Sequence, residues 1–294
     1  MDTFLIEAIV LGLAGVNLAL HLGTARTGSP VLAILNRWSR WLFIAALMAG
    51  VYTVFIDPRY DFFLLFPIAF LLWFVVETGY NYLVIHSLSK SQLPLFPRFE
   101  ENTRGDEWPS QSRFIHLKNW LRAKGFQRRQ ALVSLLGDHV LMRLSCYENE
   151  ERTVRVQVLF LPASRGNTVA CLAFSSHLKS GEVVVTDNLF LPFGGFYPEH
   201  WHVERRPWTR KPRQLHQRHR ERLDAFGEAL APFEVEPLEQ VNDDQRQLEK
   251  INRELGFLRE GLPEEGESRL TSAGKARIWQ EIWTLAYLGK PLPY

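Results

Sequence analysis

The sequence predicts a membrane-anchored protein, in which a helical part with three spans precedes a soluble α+β domain. Three observations lead to this prediction. Apolar residues are concentrated before Ile85, charged residues are frequent after Lys90, and short strand-like runs in the second half give way to helical patterns. A chain of 294 residues with a net charge of +2 has room for one or two domains. We expect a transmembrane domain at 1–88, a linker at 89–110 and an α+β domain at 111–294.

Three apolar segments are long enough to cross a bilayer, since about 20 helical residues span roughly 30 Å of hydrocarbon. They cover about Phe4–Gly23, Trp38–Ile56 and Phe62–Ile85. A cleaved signal peptide would carry positive charge before its apolar core, whereas the chain begins with the acidic "MDTFLIE". We therefore interpret the first segment as a retained anchor.

The distribution of Lys and Arg predicts the orientation of the spans. The first connection contains Arg26, Arg37 and Arg40, whereas the second, "DPRYD", contains only Arg59 between two aspartates. Basic residues are frequent again after the third span. Because short cytosolic loops are enriched in Lys and Arg, the N-terminus is expected outside and the α+β domain in the cytosol. A bacterial inner (plasma) membrane fits this arrangement.

Four polar residues interrupt the apolar spans. Glu77 and Asn81 lie one helical turn apart in the third span, and Asn17 and His21 have the same spacing in the first. A carboxylate in a membrane is costly, by roughly 2.5–3.5 kcal/mol, and usually has a partner or contacts water. We expect these residues to form an intramembrane cluster. Asn17 or His21 is the candidate partner. The role of the cluster is either a proton or ligand site, or only structural, with a neutral Glu77 that is hydrogen-bonded near the interface.

Small residues mark a helix face in each of the first two spans. Such residues let two backbones approach closely, which favours helix contact in lipid. The sequence therefore predicts that the first two helices pack together, while the remaining faces are left for the third span, a second copy of the chain or another membrane protein. The stripes are Ala8, Gly12, Gly15 and Ala19 in the first span, and Ala45, Ala46, Ala49 and Gly50 in the second.

The soluble part contains a helical segment that ends at Gly125, followed by five strand-like runs between residues 130 and 192. Their spacing predicts an antiparallel sheet of four or five strands, and the alternation in "VRVQVLF" indicates one covered face and one wetter face. Cys146 and Cys171 lie within these runs and are expected to be buried, reduced thiols. Three helices follow, at about Pro212–Leu230, Asp243–Arg259 and Thr271–Leu288.

The segments "SSHLKSGEVVVTDN", "LHQRHRERL", "GFL" and "SRLTSAGKARIW" occur in this order from Ser175 onward. This layout resembles that of bacterial membrane-anchored proteins of uncharacterised function, over the C-terminal half only. The resemblance implies that such a domain is attached to a few spans, and it carries no catalytic residues across.

The segment "HWHVE" is the sharpest chemical motif. In an extended chain His200, His202 and Glu204 point to one side, and two histidines with a carboxylate can hold a divalent metal such as iron or zinc. The alternative is a set of surface side chains in a basic loop. The glycine-rich, GxSxG and HExxH patterns of common enzymes do not occur. Ser175, Ser176, His177 and Asp187 are present, but residue types alone do not assemble a triad.

A basic segment follows this motif, and its cations and indoles suit the headgroups of anionic lipids. The tether beside a membrane favours lipid over nucleic acid as its partner. The alternative is pairing with the acidic stretch Glu234–Glu267 of the same domain. The leading function is thus a non-enzymatic, membrane-anchored interaction or sensing module without a cofactor, and the alternative is a metal-dependent, membrane-associated enzyme that uses "HWHVE". The predicted lipid contacts are Trp201, Arg205, Arg206, Trp208, Arg210, Lys211 and Arg213.

Overall fold

A computed structural model describes residues 3–27, 29–91, 93–105, 108–136, 140–162, 168–260 and 268–292. Within it the chain divides into two compact units. The membrane unit contains residues 3–87 and 278–292, and the sheet domain contains residues 88–277. The end of the chain thus groups with the spans, whereas the predicted domain range assigned all of it to the soluble part. Two turn signals that separate the strand-like runs, Gly137-Asp138 and "SRGN", lie outside the described residues.

Three long helices, α1 (Thr3–Thr27), α2 (Pro30–Val51) and α3 (Phe62–Ser89), account for most of the membrane unit. Helix α2 continues into a π-helical turn, Tyr52–Ile56. All three are long and apolar enough to cross a membrane, which confirms the three predicted spans.

Helix α2 begins eight residues earlier than predicted. The Ser29 side chain caps it by accepting a hydrogen bond from the Leu32 N–H at 3.5 Å, and Pro30 occupies the first helical turn, where it needs no N–H partner. Arg37 and Arg40 therefore lie within the helix, whereas the sequence had suggested that they lie in a loop.

The first two helices pack together, but not through both predicted stripes. Ala45, Ala46, Ala49 and Gly50 of α2 are buried. The side chain of Ile6 fills the space above Gly50, where an added Cβ would lie only 3.0 Å from Ile6 Cγ2. Larger α1 residues thus enter the small-residue groove of α2. The predicted α1 stripe lies on an exposed face: Ala8, Gly12, Gly15 and Ala19.

The sheet domain contains, in its described part, one sheet in the order β1 to β7, with β8 paired to β5. Neighbouring strands are antiparallel except for β6 and β7, which are parallel. The strands are β1 (Glu100–Glu101), β2 (Gln127–Leu136), β3 (Val140–Glu148), β4 (Arg155–Pro162), β5 (Thr168–Leu178), β6 (Val183–Asp187), β7 (Trp201–Arg205) and β8 (Leu230–Ala231).

The prediction of a wholly antiparallel sheet with four or five strands was therefore wrong in size and type. Strands β2 to β6 match the five strand-like runs. Of the three additional strands, β1 and β8 are two residues long, and β7 is rich in polar residues. Such segments pair because of distant partners, and their own sequence carries little strand signal.

Helices cover both faces of the sheet. Helices α4 (Ser112–Ala123) and α5 (Pro212–Phe226) pack on the face formed by alternate β4 residues such as Val156 and Val158. Helix α6 (Pro237–Glu254) packs on the opposite face, which includes Leu159 and both free cysteines. The predicted wetter face is thus also covered. Helix α7 (Ser272–Trp283) continues into a second π-helical turn, Thr284–Leu288.

The predicted linker at 89–110 is anchored to the sheet domain. Asn242 of α6 accepts a hydrogen bond from the Phe99 N–H at 2.8 Å and donates one to the Phe99 carbonyl at 2.9 Å. The Asn102 N–H donates to the Ala131 carbonyl at 2.8 Å. The Asn242 bonds hold this part of the segment to α6, and the Asn102 bond places it beside β2, so residues 99–102 are anchored to the sheet domain.

Candidate functional site

The Glu77 carboxylate is the centre of a polar cluster within the membrane unit. Its Oε2 accepts hydrogen bonds from the indole N–H groups of Trp41 at 2.7 Å and Trp73 at 3.0 Å. Its Oε1 accepts from the Arg40 guanidinium at 3.1 Å and from the Tyr287 hydroxyl. Four donors around two oxygens suit an ionised carboxylate, which only accepts hydrogen bonds.

Each donor reaches Glu77 because of its place in a helix. Trp73 lies one turn earlier on α3, so both side chains share a helix face. Arg40 and Trp41 lie on α2. Tyr287 lies in the π-helical turn that follows α7, 210 residues from Glu77. The cluster therefore joins two spans to the C-terminal segment of the same unit.

Two further bonds and a set of rings hold this C-terminal segment to α2. The Arg37 guanidinium donates to the Ala286 carbonyl at 2.9 Å, and the Trp38 indole donates to the Tyr287 carbonyl at 3.0 Å. The Tyr287 ring stacks on Trp283, with ring centroids 4.3 Å apart. Such aromatic contacts add about 0.5–1.5 kcal/mol each beyond the area they bury.

The partners predicted for Glu77 lie elsewhere. Asn17 donates to the Asn36 carbonyl at 3.4 Å, and His21 is exposed on α1. Asn81 is half-buried on α3, one turn beyond Glu77. The structure thus replaces the expected amide and imidazole with a guanidinium, two indoles and a phenol. Of these partners, only the Trp73 indole could have been predicted from the sequence, because Trp73 and Glu77 are four residues apart on one helix.

The three residues of the metal hypothesis do not converge on one point. Glu204 bonds to Arg206 at 2.6 Å and to Arg218 at 3.0 Å. Burial alone would raise the pKa of Glu204, but these arginine hydrogen bonds outweigh it and lower that pKa. His202 instead lies 3.5 Å from Glu182, and His200 lies 3.4 Å from Gln247. Within the residues that the structure describes, no group of three His, Cys, Asp or Glu side chains is placed to hold a metal ion.

Among the hydrolase candidates, Ser176 bonds to His219 and not to His177, whose ring packs against Phe233 with ring centroids 4.6 Å apart. Ser176 and Thr186 flank the His219 ring, with oxygens 3.1 Å from Nε2 and Nδ1 respectively. All three residues are 0% exposed, so the described atoms leave no route for a substrate. Burial lowers the pKa of His219 to about 3, which keeps the ring neutral. Asp187 is paired with Arg205 and is not part of this group.

The predicted lipid-binding segment divides into buried and exposed residues. Arg205 is only 6% exposed and bonds to Asp187 at 3.2 Å and to the Tyr197 hydroxyl at 2.9 Å, so it was wrongly expected at the surface. Trp201 is half-buried, with its ring stacked on Tyr197 at 6.1 Å, and Trp208 is half-buried too. The exposed cations of the segment are Arg206, Arg210, Lys211 and Arg213.

The exposed cations share one side of the sheet domain with α4. Arg113 of α4 is close enough to Arg210 to lower its pKa, in addition to the larger lowering by burial. Helix α4 has three basic and no acidic residues, and α5 has four basic and two acidic ones. Helix α6, on the opposite face, has five acidic and three basic residues. We call the α4–α5 side, with residues 205–213, the basic layer, and α6 the acidic layer.

Ion pairs form between neighbouring residues on the same side of the sheet, so positive and negative charge stay on opposite faces. Arg218 of the basic layer binds Glu204 and Glu221, and Arg253 of the acidic layer binds Glu249 of its own helix. The predicted neutralisation of the basic segment by the acidic stretch is not seen in these described contacts. The basic layer therefore keeps a net positive charge.

A second buried carboxylate lies in the sheet domain. Glu148 is 0% exposed and binds Arg155 at 2.6 Å, Arg152 at 3.0 Å and Arg129 at 3.1 Å. The Arg155 guanidinium also donates to the Val235 carbonyl at 2.8 Å and is itself buried. The sequence did not indicate this cluster, because arginines are normally assigned to the surface.

Comparison with known proteins identifies no family. No family model, no curated protein and no solved structure matches the chain. The function is therefore inferred from the contacts, burial and charges of this chain.

Proposed function

We propose that the protein is a membrane-anchored interaction module whose sheet domain binds the anionic surface of the same membrane through its basic layer. The observation that carries the proposal is the separation of charge onto opposite faces of the sheet. A basic surface near an anionic leaflet is attracted by about 1 kcal/mol for each Lys or Arg, and the attraction decays within about 10 Å at ordinary salt.

The chain connections support this location. The sheet domain follows directly on α3, and its other end leads into the C-terminal segment of the membrane unit. Both ends of the domain are thus tethered to the spans. A domain held in this way samples only a short distance from the bilayer, which raises the effective concentration of headgroups at its surface.

The proposed orientation places the sheet domain in the cytosol of a bacterial cell, with the N-terminus outside. Arg59, in the connection between α2 and α3, pairs with Asp57 at 3.0 Å. Arg26 and Arg37 lie at the other end of these helices. This difference supports a cytosolic location for the end that leads into the sheet domain. Reporter fusions after Tyr60 and at the C-terminus test it, and a cytosolic signal after Tyr60 would contradict it.

The lipid contact is tested with two matched glutamines of the full-length protein. Gln214 lies exposed in the basic layer, and Gln247 lies exposed in the acidic layer. Each is changed to Cys and labelled with a fluorophore. The native thiols stay unlabelled because burial raises the pKa of Cys146 and of Cys171 to about 12.

The labelled proteins are placed in nanodiscs that contain a lipid-linked quencher. We expect quenching at position 214 when part of the phosphatidylcholine is replaced by phosphatidylglycerol, and a reversal of this quenching when salt is added. Position 247 should show no change. Equal quenching at both positions, or none at position 214 in anionic discs, would contradict the proposal.

A further inference from the structure

A concave site lies at the corner between α4 and β2, apart from the exposed segment 205–213. It has a volume of about 590 Å³, and its cationic lining residues are Lys118, Arg122 and Arg128. The buried rings of Phe126 and Tyr147 form its floor. Small-molecule sites commonly have volumes of about 300–1,000 Å³, so this concavity is of the size that holds a small ligand.

Local structure brings the three cations together. Lys118 and Arg122 are four residues apart on α4 and share a helix face. Helix α4 ends at Ala123, and the chain turns into β2 at Gly125, whose φ of +80° is readily adopted only by glycine. Arg128 lies directly opposite Tyr147 in the β2–β3 pairing. The pairing shifts by one residue after Arg128, which directs Arg129 towards Glu148.

The charge of this concavity differs from that of a second concavity in the domain. The second concavity, of about 460 Å³, is lined by four basic and three acidic side chains. Its charges are matched internally, since Glu249 binds both Arg98 and Arg253. No acidic side chain is among the described residues that line the α4–β2 concavity. The two sites therefore differ in net charge, although each has several cations.

The helix dipole explains only one of the three cations. Arg122 lies in the last turn of α4, where a positive charge is favourable. Lys118 lies a turn earlier, at a spacing where like charges repel, and its Nζ lies 5.7 Å from the centre of the Trp108 ring, while Arg128 lies on a strand. A bound anion would offset this repulsion. Phosphate oxygens accept charge-assisted hydrogen bonds from several cations at once.

We propose that the α4–β2 concavity binds the phosphate group of a small phosphorylated ligand between Lys118, Arg122 and Arg128. The volume leaves room for an organic group beside the phosphate. The ligand is either a free phosphorylated metabolite or the headgroup of a phosphate-monoester lipid. Lys118 and Arg122 belong to the α4 part of the basic layer, but none of the three cations lies in residues 205–213. The two proposals are therefore tested with different side chains.

The test is calorimetric titration of the full-length protein, in uncharged detergent, with inorganic pyrophosphate. We expect saturable one-to-one binding. Lys118→Gln and Arg122→Gln should each weaken it about tenfold or more, as expected for loss of a charged hydrogen bond. The matched controls are Arg246→Gln and Lys250→Gln in the second concavity, which remove the same charge and should leave binding unchanged.

Two competitors distinguish the sources of the phosphate. Dihexanoyl phosphatidic acid and glycerol-3-phosphate both carry a phosphate monoester, but only the first has lipid chains. Stronger competition by the first indicates a lipid headgroup, and equal competition indicates a free metabolite; either result supports a phosphate site. Absence of saturable pyrophosphate binding to the wild type, or equal weakening by the control variants, would overturn the proposal.

Discussion

The membrane unit and the sheet domain hold a buried carboxylate in different ways. Glu77 has one arginine partner and three neutral donors, the two indoles and the phenol. Glu148 has three arginine partners. The first cluster has no net charge when Glu77 is ionised, whereas the second keeps an excess of positive charge.

We propose that this difference reflects lipid around the membrane unit and water around the sheet domain. Lipid does not solvate an unpaired ion, and neutral N–H and O–H groups complete the coordination of Glu77. In the sheet domain Arg129 and Arg152 remain partly exposed while they bind Glu148. Tryptophan and tyrosine thus serve in the membrane unit as donors that add no charge.

Removing the charge of Glu148 is expected to lower the free energy of unfolding more than any other change proposed for these clusters. In Glu148→Gln, Arg155 remains fully buried without its counter-charge, beside two other arginines. Breaking a buried pair in this way costs about 3–5 kcal/mol. We expect a strongly lowered Tm or loss of soluble protein. Glu151→Gln, at an exposed position nearby, is the control and should change Tm little.

Glu77→Gln should have a smaller effect than Glu148→Gln. Each oxygen of Glu77 accepts two hydrogen bonds, so replacing either with an NH₂ group opposes two donors. We expect a loss of about 2–3 kcal/mol of unfolding free energy. Thermal unfolding in detergent measures it, with exposed Glu7→Gln as the control. A Tm equal to that of the control would show that these four hydrogen bonds contribute little to stability.

His219 tests how a buried polar group without a counter-charge behaves. Its pKa falls from an ordinary 6.5 to about 3 because burial disfavours the charged ring. Between these values the unfolded chain binds the proton and the folded protein does not, so stability falls as the pH falls, by about 1.4 kcal/mol per pH unit.

At pH 5 this contribution is about 2 kcal/mol. It should be absent in His219→Gln. We therefore expect the Tm of the variant to decrease less than that of the wild type between pH 7 and pH 5. His116→Gln, at an exposed position on α4, should follow the wild type. Identical pH dependence in both variants would show that His219 titrates normally.

Tyr287→Phe should have the smallest effect of the series. It removes one of four donors to Glu77 and preserves the ring that stacks on Trp283. We expect a loss of about 1 kcal/mol and faster proteolysis of the C-terminal segment. A double-mutant cycle with Glu77→Gln should give less than additive losses, because the two residues share one bond.

The sequence was most informative where the pattern is local. The three spans, strands β2 to β6 and helices α4 to α7 were predicted from hydrophobic periodicity and turn residues. The predicted start of α2 is eight residues late, because the charges of Arg37 and Arg40 favour a loop. The Ser29-Pro30 pair is the sequence signal that indicates the observed start.

The partners of Glu77 in the candidate site could not be predicted from the sequence as well as the helices and strands, because some of them are far from Glu77 along the chain. Tyr287 meets Glu77 across 210 residues, and no periodicity in the chain links them. The polar segment at 201–205 becomes a strand because it pairs with β6, which buries Arg205. Arg155 is likewise fully buried, although the charge of an arginine alone favours the surface. In each of these cases tertiary pairing overrides the local preference of the residue.

The most direct test of the proposed membrane-facing basic layer is hydrogen–deuterium exchange on the unlabelled full-length protein in nanodiscs. Discs of phosphatidylcholine alone are compared with discs that also contain phosphatidylglycerol. We predict slower amide exchange in residues 205–213 and at the start of α5 in the anionic discs, with no change along α6. Equal changes in the two layers, or no change in either, would contradict the assignment of the basic layer to the membrane.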